Sequence, residues 1–519
     1  MVITVNDDIL EAIRTVLGSV PLLPARFARY QPLLVETLVS FFGRLPPEHL
    51  GDIIAAQAML GPAADPDTRL VALLQQCPTL HKLGQVVAHE HSLGETLRER
   101  LQSLESLPPA TDPALLRAFI TAELGDRQGI EIAPQALAEG SVAVIVPFVW
   151  TDPGGGKLEG VFKLLKPRAV ERMQQELAIW NDLSDTFDER ARAYDLPELD
   201  YRAIIDSVAR LLLGEVELER EQGNLAWAAA FYSDSKEVVI PRLLPFCTPR
   251  LTAMERIHGT KVTDTALGEK ARKKLARTLV RALVADPFWK ATELPARFHA
   301  DPHAGNLFFT ADGRLAILDW ALTTELTGAQ LSGVVRALLG GLTLDEAEIH
   351  DAIASLGEIH DEDYARAEIA AAITLVRRGT FPGFVWLVTL LDRLGRLGHA
   401  SFPEATTLFR KSLLTLSGVV TDVFQEASMD RVLLASGAAQ FRRELRRRPA
   451  AAPGSRKFGT HVSNTDLVKL WVSVPWTPAR YLLDTWRDLL LPPPAASPAP
   501  LEPPLAPPLV PPLPPSTKA

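Results

Sequence analysis

Between Phe298 and Asp319 the chain reads FHADPHAGNLFFTADGRLAILD, and three polar residues of this stretch could act together. Asp301 and Asn306 stand in the pattern D-x-x-x-x-N, and Asp319 closes the segment. An aspartate beside an acceptor hydroxyl orients or deprotonates it, while an asparagine oxygen and a second carboxylate suit a hard Mg²⁺ ion. Two short apolar runs, Leu307 to Phe309 and Leu315 to Leu318, flank the turn Ala311-Asp312-Gly313 and predict a hairpin. That hairpin would bring Asp319 back beside Asn306. Phosphoryl transfer is the chemistry that uses such a set.

Phosphates need a cation, and Lys163 in GVFKLLKP is the candidate. A lysine among apolar strand residues is costly to bury unless its ammonium meets an anion, here the α- and β-phosphates of a nucleotide. Lys166 competes for the role, but it lies beside Pro167 at the strand end and reads as solvated.

The elements that must position these residues change type along the chain. Residues 1–128 are rich in Leu, Ala, Glu and Arg, with apolar positions at helical steps such as Leu93, Leu97, Leu101 and Leu104. Ser141 to Trp150 and Leu158 to Leu165 read as two strands joined by the breaker Thr151 to Lys157. A long helix is expected around Tyr201 to Ala230, then short strands at Val238 to Ile240 and Leu251 to Met254. After Asp264 helical patterning dominates, interrupted by the Phe298 to Trp320 segment. Residues 491–519 are Pro-rich and read as a disordered or polyproline-type tail.

FHADPHAGN followed by a strand pair and Leu318-Asp319-Trp320 resembles the UbiB (AarF-type) atypical kinase family, and also aminoglycoside and choline phosphotransferases. The helical N-terminal part decides between them. Lys82-Leu83-Gly84-Gln85 matches the K-x-G-Q signature that UbiB proteins carry ahead of their kinase lobes, with Leu101 to Pro109 following it. Ala138 to Ala143 is similar to the family's Ala-rich nucleotide loop, where Gly140 and Ser141 would let backbone N–H groups approach phosphate. Glu215-Val216-Glu217, Glu221 and Asn224 match the family's E-x-D and E-A-x-N motifs. The resemblance pairs Glu221 with Lys163 and turns Glu215 and Glu217 toward the nucleotide and metal, with Glu217 and Glu221 one helical turn apart. Met254-Glu255 resembles the hinge where backbone groups meet adenine.

The resemblance implies an α+β, two-lobed protein-kinase-like fold. A helical extension (1–128) would precede a small β-rich N-lobe (129–255) and a helical C-lobe (256–430), with accessory helices (431–490) before the tail. ATP and Mg²⁺ are the implied cofactors. Catalysis would rest on Asp301, Lys163 and Glu221, metal on Asn306 and Asp319, and nucleotide contacts on Gly140, Ser141, Glu255, Lys82, Gln85, Glu215 and Glu217. The resemblance also implies a link to isoprenoid-lipid or quinone metabolism and a Lys82–Gln85 segment lying over the site, which would obstruct a protein substrate and favour a small or lipid-like acceptor. The alternative is a nucleotide-binding pseudokinase serving as a regulatory scaffold. Two departures from the family favour that alternative, Trp320-Ala321 after Asp319 and Val144-Ile145-Val146 after the nucleotide loop, while Glu217 for aspartate marks a diverged member. Ala321 in particular takes positive φ less cheaply than glycine.

Composition narrows the field. The chain is 47% hydrophobic and 23% charged, as globular proteins are, and its net charge of −9 argues against nucleic-acid binding. Two cysteines, Cys77 and Cys247, suggest neither a disulfide framework nor a metal cluster, and fit a reducing cytoplasm. The N-terminal residues do not read as a secretory signal, and no apolar run is long enough to span a bilayer. Thr477 to Leu491 has an amphipathic helical pattern that would pack on the kinase lobes, or else meet a membrane surface or partner. Arg442 to Arg448 reads as a solvated helix end.

Overall fold

A computed structural model describes residues 7–23, 25–87, 97, 99–101, 111–125, 129–166, 168–196, 201–214, 216–290, 295–395 and 398–473. The Thr477 to Leu491 helix and the Pro-rich tail lie outside the described residues. The chain divides into two compact units, residues 1–326 with 407–437, and residues 327–406 with 438–519.

The first unit opens with helices α1 (Asp7–Ser19), α2 (Gln31–Arg44), α3 (Pro47–Met59), α4 (Pro66–Gln76), α5 (Pro78–Val87) and α6 (Pro113–Leu124). Their starts are written locally. Asp65 and Asp112 accept the backbone N–H groups of Thr68 and Ala114, with Pro66 and Pro113 in the first helical turn. Phe41, Phe42, Ile53, Leu70, Leu73 and Leu80 form one buried core, closed by Leu183 of α7 (Ala169–Ala193).

The strand-rich part is a sheet of order β1-β3-β4-β6, with β2 added beside β3: β1 (Ile130–Ile132), β2 (Ala138–Glu139), β3 (Ala143–Thr151), β4 (Lys157–Leu165) and β6 (Leu251–Glu255). β3 alternates, sending Val144, Val146 and Phe148 into a core shared with Leu116 and Ile120 of α6. β4 is central and buried from Gly160 to Leu165, which is why Lys163 lies inside the protein. Gly160 is required there: a Cβ would stand 2.4 Å from the Phe148 ring.

Two sequence expectations fail in this region. The single helix expected over Tyr201 to Ala230 is two, α8 (Tyr201–Gly214) and α9 (Leu218–Phe231). Gly214 lies against the Arg220 guanidinium, a close approach that any Cβ would block. Glu217 is therefore the residue capping the start of α9 and does not share a helical face with Glu221. The short strand β5 (Val238–Val239) lies outside the first sheet. It pairs in parallel with β10 (Leu315–Ile317), in a second sheet with β7 (Gly259–Lys261) and β9 (Leu307–Thr310).

That second sheet contains the expected hairpin, β9 paired with β10. Beside it, β8 (Ala296–His299) and β11 (Thr323–Leu326) form a two-stranded ladder that brackets the catalytic-type segment. Helix α10 (Glu269–Val280), a π-helical turn and α11 (Asp286–Lys290) follow β7.

The second unit holds α12 (Gly328–Thr343), α13 (Glu346–Ala354), α14 (Glu362–Arg377) and α15 (Phe384–Leu394). Thr327 and Gln330 form a capping box at the start of α12. Most of α16 (Glu404–Val423) falls in the first unit, α17 (Met429–Glu444) has residues in each, and α18 (Asn464–Ser473) falls in the second. Arg448 is not solvated: it is 4% exposed, bonded to Glu444 and Thr460 and stacked against Phe441 and Phe458. Among the described residues no helix is long and apolar enough to cross a membrane.

Candidate active site

Lys163 projects from the buried half of β4, in register with Ile145 on one side and Thr252 on the other. Its Nζ lies 2.7 Å from Glu221 Oε1 and 3.1 Å from Asp319 Oδ2. Glu221 reaches it because α9 buries one stripe, Leu218, Glu221, Asn224, Leu225 and Ala228, at helical spacing. Burial alone pulls the Lys163 ammonium down, but Asp319 and Glu221 outweigh it and hold the lysine charged, above its ordinary value. Asp319 is the converse. Burial pushes its carboxyl up, and Lys163 with the Ala321 N–H holds it well below the usual carboxylate range.

Asp319 follows β10, whose next residue donates from Leu318 N–H to the Asn306 carbonyl. The hairpin thus closes on the loop that carries Asn306. The Asn306 amide nitrogen donates to the Asp301 carbonyl at 3.2 Å, which leaves Oδ1 as the end able to meet a cation. His299 ties the two aspartates together. Its Nδ1 accepts the Asp301 N–H at 3.1 Å, so Nε2 carries the proton and donates to the Asp319 carbonyl. Burial lowers the His299 pKa and keeps the ring neutral.

The Asp301 carboxylate faces cations. Lys411 of α16 lies 3.1 Å from its Oδ1. Burial pushes the Asp301 carboxyl up, but Lys411, His303 and Lys82 together hold it below its ordinary value. Lys82, from the K-x-G-Q stretch on α5, is therefore close enough for its charge to bear on Asp301. The backbone of Gln85 is helical in α5, while its side chain lies outside the described residues, as does Glu215 altogether.

Other expected residues are less convergent. Gly140 and Ser141 form the turn from β2 to β3, but the Gly140 N–H is already bonded to the Ala143 carbonyl at 2.8 Å. Glu217 is exposed and pairs with Arg220 at 3.0 Å. Glu255 ends β6 with its carboxylate held by both Arg242 nitrogens and its N–H on the Arg242 carbonyl. Lys166 is not solvated. It pairs at 2.7 Å with the buried Glu139, which also accepts the Thr111 N–H and hydroxyl.

The Trp320-Ala321 departure carries no backbone strain. Ala321 is not among the residues with positive φ, so no glycine is required there. Trp320 is 1% exposed, and its carbonyl accepts from Asn224 at 3.0 Å. Asn224 Oδ1 in turn accepts from Arg297, whose guanidinium lies over the Trp227 ring. Sequence reasoning missed His299 and Lys411 as site residues. The first was visible in the H-x-D pattern, whereas Lys411 sits in an ordinary amphipathic helix with no motif.

Residues 131–353 match the ABC1 atypical kinase-like domain. The chain is similar to "Probable protein kinase UbiB" of Pseudomonas entomophila, at 24% identity over 371 residues, covering 69% of this chain and 68% of that one. It is 28% identical over 253 residues to "Probable protein kinase UbiB" of Shewanella loihica, covering 47% of this chain and 44% of the other. A solved structure described as the complex of Rv3197 and erythromycin from Mycobacterium tuberculosis aligns with a TM-score of 0.44 and 14% identity, covering 75% of this chain and 87% of that one. With its helical majority, its small sheets and the Lys163–Asp319 segment, the chain is thus similar over residues 131–353 to the ABC1 atypical kinase-like domain, and more widely to UbiB proteins.

Proposed function

We propose that this chain is a Mg-ATP-dependent atypical kinase or ATPase acting on, or in support of, small lipid-like molecules of isoprenoid or quinone type. The observation that carries the reading is the buried cation Lys163 held between Glu221 and Asp319, with Asn306 and Asp301 on the adjoining loop. Two carboxylates around one lysine make a rigid, charged post at which an anionic ligand can be bound without rearrangement.

The donor set fits a magnesium ion, since Asn306 Oδ1 and the Asp319 carboxylate are hard oxygens. When bound, that ion supplies neutralisation of phosphate charge. Lys163 binds phosphate oxygens, and Glu221 keeps its ammonium from swinging away. Asp301 is held ionised by Lys411, His303 and Lys82, and a carboxylate held below its normal pKa is a weak base. Its role is therefore to orient an acceptor hydroxyl rather than to store its proton. Gly140 and Ser141, on the turn before β3, would approach the phosphates, and Glu255, paired with Arg242, would mark the hinge.

Support for a small acceptor comes from Lys82. Its charge acts on Asp301 from α5, as a Lys82–Gln85 segment lying near the site would require. The test is ADP release by the purified chain with prenylated quinols, polyprenyl lipids and a generic protein acceptor in parallel. Stimulation by the lipids, reduced about 100-fold or more in Asp301→Asn, is the expected result. Stimulation by protein alone would overturn the acceptor assignment, and nucleotide binding without turnover would favour the scaffold reading.

A further inference from the structure

Far from the kinase-type site in sequence, three helices bring together side chains with metal-binding chemistry. His49 lies on α3, Cys77 joins α4 to α5, and Glu176 is on α7. All three are buried, at 2%, 0% and 0% exposure. The cysteine spacing alone does not show this group, because its members come from distant segments. His49 Nε2 lies 3.9 Å from Cys77 Sγ and 3.8 Å from Glu176 Oε1.

The polar atoms here are incompletely used. Glu176 Oε2 accepts both the N–H and the hydroxyl of Thr79, but Oε1 has no hydrogen-bond partner, nor does His49 Nδ1. A fully buried carboxylate oxygen aimed at an imidazole and a thiol is costly unless a cation or proton sits between them. Burial pushes the Glu176 carboxyl up to about 7 and the Cys77 thiol well above its usual range, and lowers His49. Among the described residues, no side-chain cation is hydrogen-bonded to Oε1.

We propose that His49, Cys77 and Glu176 form a structural site for a zinc-type divalent cation. One imidazole nitrogen, one thiolate and one carboxylate oxygen are a borderline-soft set that suits zinc and disfavours magnesium or calcium. A dication with one thiolate and one carboxylate is neutral overall, which a buried site requires. Tetrahedral zinc with bonds of about 2.0–2.3 Å sets nitrogen and sulfur about 3.6 Å apart and nitrogen and oxygen about 3.4 Å apart. The observed separations exceed these by only a few tenths of an ångström. On binding, the Cys77 thiol proton and any proton on the Glu176 carboxyl would leave to solvent, and the imidazole proton would move from Nε2 to Nδ1. The Gln76 carbonyl, 2.8 Å from Nε2, loses its donor and is the nearest fourth ligand. Cys77 directly precedes α5, so the ion would fix the start of the helix that carries Lys82.

Cobalt is the probe that tests this, because a cobalt–thiolate bond gives a near-ultraviolet charge-transfer band. The full chain, stripped with a chelator and checked by circular dichroism, should take up one equivalent of Co²⁺ with that band, and Zn²⁺ should displace it. Cys247→Ala should keep the band and Cys77→Ala should lose it. His49→Gln and Glu176→Gln provide two independent variants should Cys77→Ala misfold, and each should bind less than one equivalent at the same concentration. No stoichiometric uptake by the parent, or a band that survives in folded Cys77→Ala, would overturn the site. Uptake unchanged in every folded variant would assign the metal to surface histidines and overturn it equally.

Discussion

Replacing Lys163 by methionine should be the most damaging single change at the candidate site, and the structure says which partner makes it so. Glu221 is 3% exposed and sits in the apolar stripe of α9, whereas the Asp319 side chain is 37% exposed and also accepts the Ala321 N–H. Without the ammonium, Asp319 can turn to water. Glu221 cannot, and must either stay charged in an apolar setting or take up a proton. Removing one partner of a buried pair costs about 3–5 kcal/mol, and the lower part of that range suits a site with one solvated member. Glu221→Gln should cost less, about 1–2 kcal/mol, because Lys163 keeps Asp319. In the double variant Lys163→Met with Glu221→Gln no charge is stranded, so stability should recover by about 2 kcal/mol relative to the sum of the singles. Urea denaturation followed by circular dichroism reads all four proteins, compared at equal slope. Additive losses, or a Lys163→Met variant within about 0.5 kcal/mol of the parent, would refute the reasoning.

Two further outcomes follow from particular contacts. Asn224→Leu removes the donor to the buried Trp320 carbonyl and should lower stability by about 1–3 kcal/mol in urea unfolding, while an Asn224→Asp variant should not restore it. Burial pushes the Asp466 carboxyl up, but Arg456 and the Ser463 N–H prevail and hold it at about 2, below the ordinary value of 3.8. A depressed carboxylate contributes stability that is complete above the unfolded pKa and is lost as pH falls through the folded one. The gap between parent and Asp466→Asn should thus be about 2 kcal/mol or less at pH 7 and should shrink between about pH 4 and 2. A gap that stays constant to the acid end would show that the ion pair contributes nothing.

The strands around the site were legible because their signals are local. SVAVIVPFVW alternates, TDPGGGK must turn, and LFFTADGRLAIL pairs on itself, so the segments carrying Lys163, Asn306 and Asp319 could be placed from periodicity and breakers. What the sequence did not reveal are features that depend on a distant close approach. Nothing near Gly214 announces that one helix ends there and another starts at Leu218, and Val238–Val239 looks the same whether it joins one sheet or another. Lys166 and Arg448 were read as solvated because the sequence shows their charge and not the buried Glu139 and Glu444 that meet them. Lys411 is the same problem at the site itself: a lysine on a helix surface, given its role by an aspartate a hundred residues away. The His49, Cys77 and Glu176 cluster was hidden because its spacing follows the packing of three helices rather than any local ligand motif.

Magnesium-dependent nucleotide binding tests the central claim most directly. Thermal unfolding of the purified chain with ATP and Mg²⁺, with ATP and chelator, and with neither separates the metal from the nucleotide. Ligand at about 100 times Kd should stabilise the parent by about 2.7 kcal/mol, and the shift should need both components. Asp319→Asn should lose most of the metal-dependent part, since an amide is a poorer ligand for a hard dication, while Asp301→Asn should keep the shift and lose turnover. A parent protein whose unfolding is unchanged by Mg-ATP would contradict the account.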